Sequence, residues 1–139
     1  MLNYKSILYA TNLDDSCKPA LTRVNEFAEK FGAKIYIIHV VKNITSTYGF
    51  AAVDSQVELS LVDTAREKLD ALLKSVGIPS DNATISIGQV TSAILDQAEE
   101  LKVDVIMLNG QTHNIFARML STEDNIVNEA KCDVIVLRD

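Results

Sequence analysis

Short apolar runs and helical spacings take turns along this chain. Ile7-Leu8-Tyr9-Ala10 is a continuous apolar run, the pattern of a strand covered on both faces. Asp14, Asp15 and Ser16 then supply capping oxygens and Pro19 suits a first turn. Ala20, Leu21, Val24, Phe27, Ala28 and Phe31 recur at helical spacing until Gly32 ends the run. A second strand is expected over 34–41. Residues 42–56 have no period and read as a long loop, in which Tyr48, Gly49 and Phe50 fit loop filler ahead of a cover for a cleft or a partner. Leu61, Val62, Ala65, Leu69, Leu72 and Val76 mark a second helix, closed by Gly77-Ile78-Pro79. A third strand follows over 84–87 and a helix over 91–101, with Ile94, Ala98 and Leu101 inward. A strand over 103–108, a helix over 116–130 and a last strand over 134–137 complete the pattern.

Five strands separated by helices predict one parallel sheet with right-handed crossovers and helices on both faces, a doubly wound α/β domain spanning 1–139. In such sheets ligands sit outside the carboxyl ends of the strands, where strand order reverses. Function is therefore sought in 11–16 after the first strand, in 39–41 at the end of the second, and in 109–114 after the fourth.

Composition narrows the classes. With 139 residues, 47% hydrophobic and 23% charged, the chain suits a single core that buries roughly two thirds of the unfolded surface. The net charge is −6 and the 13 basic residues are scattered, which leaves no footprint for nucleic acid or an anionic membrane. Cys17 and Cys132 form no CxxC or Cys/His cluster, so no metal site is expected and a reduced, cytoplasmic protein is. The opening MLNYKSILYATNLDD turns acidic too soon for a signal peptide or a membrane span.

Candidate chemistry is sparse. His39 closes a strand and fits a structural histidine, and His113 fits a hydrogen bonder at a helix entry. Cys17 lies near a helix N-terminus, where thiol pKa values fall, yet no His-and-acid arrangement adjoins it. Asp14 and Asp15 fit helix caps. Gly88 fits a tight turn, and Cys132 fits core packing.

Four segments, KSILYATNLDDS, IYIIHV, SIGQVTSAILDQAEELKVDVIML and NGQTHNIFARML…KCDVIVLRD, stand in order and at family spacing. Together they resemble the universal stress protein family over essentially the whole chain, its A-type members above all. The resemblance implies a Rossmann-like sheet with strand order 3-2-1-4-5. It also implies a nucleotide cleft involving Asn12, Val40, Val41, Gly110, His113, Ser121 and Thr122. In nucleotide-binding members an acidic residue follows the first strand, and the fourth is followed by G-x2-G-x9-G-[ST]. Here Asn12 takes the acidic position, Gly110 matches the first glycine and His113 falls on the second. Glu123 falls on the third by strict count, and Ser121 or Thr122 if the loop is shorter.

Charge points the same way. A triphosphate carries roughly four negative charges and is normally met by N–H groups and Lys or Arg. This loop has no lysine, its only cation is Arg118, and Glu123 and Asp124 add like charge. Two unit charges about 4 Å apart at an effective dielectric of about 20 repel by about 4 kcal/mol. The expectation is a non-enzymatic, cytoplasmic stress-response factor with no catalytic residues and no cofactor. The alternative is a member that binds ATP or AMP, or hydrolyses ATP slowly, through a loop remodelled over 110–114. The implied topology leaves the last strand, Val134-Ile135-Val136-Leu137, on an edge with neither Pro nor Lys to guard it, which predicts a homodimer through that strand.

Overall fold

The computed structural model describes residues 3–14, 17–42, 55–110 and 122–138. Its elements are β1 (Ser6–Ala10), α1 (Cys17–Phe31), β2 (Lys34–Lys42), α2 (Ser55–Val76), a 3₁₀ turn (Ser80–Asn82), β3 (Ala83–Gly88), α3 (Val90–Leu101), β4 (Val105–Asn109), α4 (Thr122–Glu129) and β5 (Asp133–Leu137). The strands form one sheet in the order β3-β2-β1-β4-β5, parallel at every pairing. β1 and β4 lie side by side at its centre, where the connections diverge, and the crevice beyond their carboxyl ends is the topological switch point.

The sheet separates two cores. Ile7, Tyr9, Ile37, Val105 and Met107 point to one face and meet Leu21 and Val24 of α1 and Leu69 and Leu73 of α2. Leu8, Ile38, Val40, Ile106 and Leu108 point to the other and meet Ile94 and Ala98 of α3 and Ile126 of α4. Every residue from Ile7 to Tyr9 and from Val105 to Leu108 is buried, which is why these strands read as continuous apolar runs.

The element boundaries differ from the sequence reading in ways that side-chain patterns do not report. The fourth strand starts at Val105, not at 103, because Lys102 takes a left-handed turn (φ 53°) and Val103 donates its N–H to the Ala98 carbonyl to finish α3. Leu61 of α2 faces solvent, while Leu73 is fully buried in its place. The helix expected over 116–130 is described from Thr122 to Glu129, and residues 43–54 and 111–121 lie outside the described residues. Among the described residues no helix is long and apolar enough to cross a membrane.

Two polar ties hold the amino ends of the strands. The Asp104 carboxylate accepts the amides of Lys5 and Ser6 at 2.7 and 3.0 Å, joining the start of β1 to that of β4. The Tyr4 hydroxyl donates to Asp133 at 2.8 Å, fixing the start of β5.

Candidate functional site at the carboxyl ends of β1 and β4

The turn that leaves β1 is built on Thr11. Its amide donates to the Ile38 carbonyl at 3.0 Å, prolonging the pairing of β1 with β2 by one residue. Its hydroxyl oxygen accepts the Leu13 amide at 3.1 Å, a side-chain turn of the kind threonine favours. The hydroxyl proton goes to the Cys17 sulfur, 2.8 Å away, and the thiol in turn points to Asp14 Oδ1 at 3.6 Å. Leu13 sits at φ 62°, a left-handed conformation that costs a non-glycine residue roughly 1 kcal/mol or more. The Thr11 contact and the packing of the Leu13 side chain against the core offset that cost. Asp14 then starts α1, its carbonyl accepting the Cys17 amide at 3.1 Å. The Asp14 carbonyl and carboxylate both meet Cys17 at the start of α1, and Asp15 and Ser16 lie outside the described residues.

Cys17 is fully buried, inside a polar group that sequence inspection does not assemble. Tyr9, also fully buried, donates its hydroxyl to Asn109 Oδ1 at 3.0 Å, and the Asn109 amide nitrogen stands 4.0 Å from the Cys17 sulfur. Burial, and then the nearby Cys17 sulfur, push the Tyr9 phenol far above its ordinary range, so Tyr9 is a neutral donor at neutral pH. The ends of β1 and β4 are therefore sewn together by side chains, with the thiol enclosed between them. This arrangement makes Cys17 a structural thiol.

His39 belongs to the same face. Its Nδ1 is 2.7 Å from the Thr11 carbonyl, and because a carbonyl only accepts, Nδ1 carries the proton. The ring holds the β1 turn in place from β2. Beside it Val40 is buried and Val41 half-buried, and Asn12 is exposed at the tip of the turn.

Gly110 stands at the end of β4, and its setting is the least foreseeable part of the site. Its N–H is committed to the Leu137 carbonyl at 2.7 Å, extending the β4–β5 ladder. A Cβ on Gly110 would lie 2.7 Å from Val136 Cγ1 and 2.9 Å from both Cζ and Nε of Arg138. The missing side chain therefore makes room for packing within the protein. Arg138 brings a guanidinium to the start of the loop in which the sequence offers only Arg118; its carbonyl accepts from Arg23 Nη1 at 2.7 Å, which anchors the backbone there. A residue 28 positions away in sequence gives no local signal of this contact.

Of the sequence candidates, Asn12, Val40, Val41 and Gly110 gather at the carboxyl edge. His113 and Ser121 lie outside the described residues, and Thr122 is the first residue of α4. Val134, Ile135, Val136 and Leu137 lie in β5 at the edge of the sheet, the first three half-buried and Leu137 buried.

Comparison with known proteins completes the picture. The model of the universal stress protein family matches residues 3–138. Universal stress protein A homolog 2 of Coxiella burnetii is 34% identical over 143 residues, covering 99% of this chain and 97% of that one. A universal stress protein solved in complex with cAMP superposes with a TM-score of 0.69 at 21% identity over 98% of both chains. The universal stress protein of Archaeoglobus fulgidus in complex with dAMP does so with a TM-score of 0.63 at 16% identity, over 97% of this chain and 98% of that one. Family match, relative and shared five-stranded topology agree: the chain belongs to the universal stress protein family.

Proposed function

We propose that this chain acts as a homodimeric stress-response factor of the cytoplasm, without an enzymatic reaction of its own, whose cleft does not hold ATP tightly. Gly110 carries this reading. Its amide is spent on Leu137 and the space in front of its Cα is filled by Val136 and Arg138, so the first glycine of the phosphate motif offers a triphosphate neither a free N–H nor a close approach. Neutral Asn12 at the family's acidic position and the absence of Lys or Arg from 11–14 support it further. The half-buried apolar side chains of β5, at an open edge, support the dimer. Calorimetric titration with Mg-ATP tests the first part: no saturable binding is expected below about 1 mM, a free energy weaker than about −4 kcal/mol. Micromolar binding overturns it.

A second reading, an adenylate carrying a single phosphate, is favoured by Arg138. One guanidinium at the rim matches the charge of one phosphate and not of three. The two neighbours solved with cAMP and dAMP hold ligands of that size.

A further inference from the structure

We infer that Arg138 is the specificity-determining residue of the cleft, the group that would select adenine nucleotides with one phosphate over both adenosine and ATP. The inference rests on the second reading above, that the cleft takes an adenylate at all.

Arg138 is placed by the sheet itself. Asn109 and Leu137 are partners across the β4–β5 ladder, so Arg138 stands opposite Gly110, one step beyond the strand ends and on the side where ligands of such sheets bind. Its Nε and Cζ rest in the space a side chain at residue 110 would need. Its backbone is held from the far side by Arg23. The ion pairs among the described residues, Arg66 with Asp70 and Lys131 with Glu99, leave the Arg138 guanidinium out. Residue 138 is exposed at the rim.

The chemistry of this group defines its ligand. A planar guanidinium gives two parallel N–H bonds to two oxygens of one phosphate, which a nucleoside monophosphate or a cyclic monophosphate presents. In a triphosphate the remaining phosphates would find no second cation in 11–14 or in Asn109-Gly110, and the Gly110 amide is already bonded. Among the described residues the Gly110 amide is spent and the Arg138 guanidinium stands in front of it, so the cation there matches the charge of a single phosphate.

Calorimetry with adenosine, AMP and ATP on the wild type, Arg138→Gln and Arg138→Lys tests this. Wild type is expected to bind AMP at least about tenfold tighter than adenosine, and ATP no tighter than AMP. Arg138→Gln should bring AMP to within about twofold of adenosine without altering adenosine itself, and Arg138→Lys should keep part of the difference, because an ammonium supplies charge without the fork. Far-ultraviolet circular dichroism confirms that the variants are folded. If adenosine and AMP bind equally, or if Arg138→Gln keeps the full preference for AMP, the role of Arg138 is overturned while the adenylate reading stands. If neither compound binds the wild type, both are overturned.

Discussion

The Tyr9 hydroxyl donates to Asn109 Oδ1 at 3.0 Å, across the central seam between the first strand and the fourth. Both residues occupy the α1 side of the sheet, and the bond closes the end of the crevice against which the Cys17 thiol is packed. Tyr9→Phe keeps the buried ring and deletes this bond, so a loss of about 1 kcal/mol in urea unfolding is expected. An unchanged midpoint would mean that Asn109 satisfies itself elsewhere at no cost.

The same tyrosine predicts a dependence on pH. Its phenol is raised in the folded protein above the ordinary value of 10.0, chiefly by burial, so the folded state keeps a proton that the unfolded chain releases. The contribution is fully present below pH 10 and is lost as the pH rises from there toward the folded value. The slope from this residue is about 1.4 kcal/mol per pH unit. Unfolding free energies measured between pH 8 and 11 should be level at first and then fall, and Tyr9→Phe should fall less steeply than the wild type. Equal slopes would assign the loss to other groups.

Gly110→Ala should destabilise the protein by about 1–3 kcal/mol, since its Cβ would press on Val136 Cγ1 inside the sheet and displace the Arg138 guanidinium. The flexible arginine yields easily, and the branched valine within a strand does not. Thermal unfolding decides the matter, and a variant as stable as the wild type would show that β5 shifts freely away from residue 110. Because this substitution disturbs packing, a loss of nucleotide affinity in it would not by itself locate a phosphate.

Dimerisation through β5 is tested where its backbone faces outward. Leu137 turns its carbonyl to Gly110 in β4, and by strand alternation Ile135 faces β4 as well, leaving the N–H groups of Val134 and Val136 on the open edge. Val134→Pro removes an edge donor without cutting the β4–β5 ladder. Light scattering should report a dimer for the wild type and a monomer for this variant. A monomeric wild type, or a folded variant that stays dimeric, would place the contact elsewhere.

The fold was largely legible because each central strand is buried on both sides. Ile7-Leu8-Tyr9 and the run from Val105 to Leu108 carry that fact in composition alone, and the α1 pattern from Ala20 to Ala28 names the inward residues correctly. The family resemblance supplied the strand order, which periodicity does not contain. Where the reading slipped, local geometry had overridden pattern: the left-handed Lys102 delays β4, and α2 buries Leu73 while leaving Leu61 outside. The site was harder to read. Cys17 read as a structural thiol because no His-and-acid arrangement adjoined it, but its enclosure by Thr11, Asp14 and Asn109 was not legible, since those residues are brought together only by the crossing of two loops. Gly110 matched a phosphate motif, and its packing against Val136 and Arg138 follows from β-pairing that no local window reports.

The placement of β1 at the middle of the sheet also has a temporal side. It is made before the other strands, yet one of its flanks is completed only by β4, and the partners Tyr9 and Asn109 are 100 residues apart. On a ribosome adding about 5–20 residues per second, that flank waits about 5–20 s with Ile7, Leu8 and Tyr9 bare on the side β4 will cover. The nascent chain therefore has to shelter a strand whose Ile7, Leu8 and Tyr9 end up fully buried for most of its own synthesis, whereas a full-length chain refolding from denaturant has β4 at hand from the first instant.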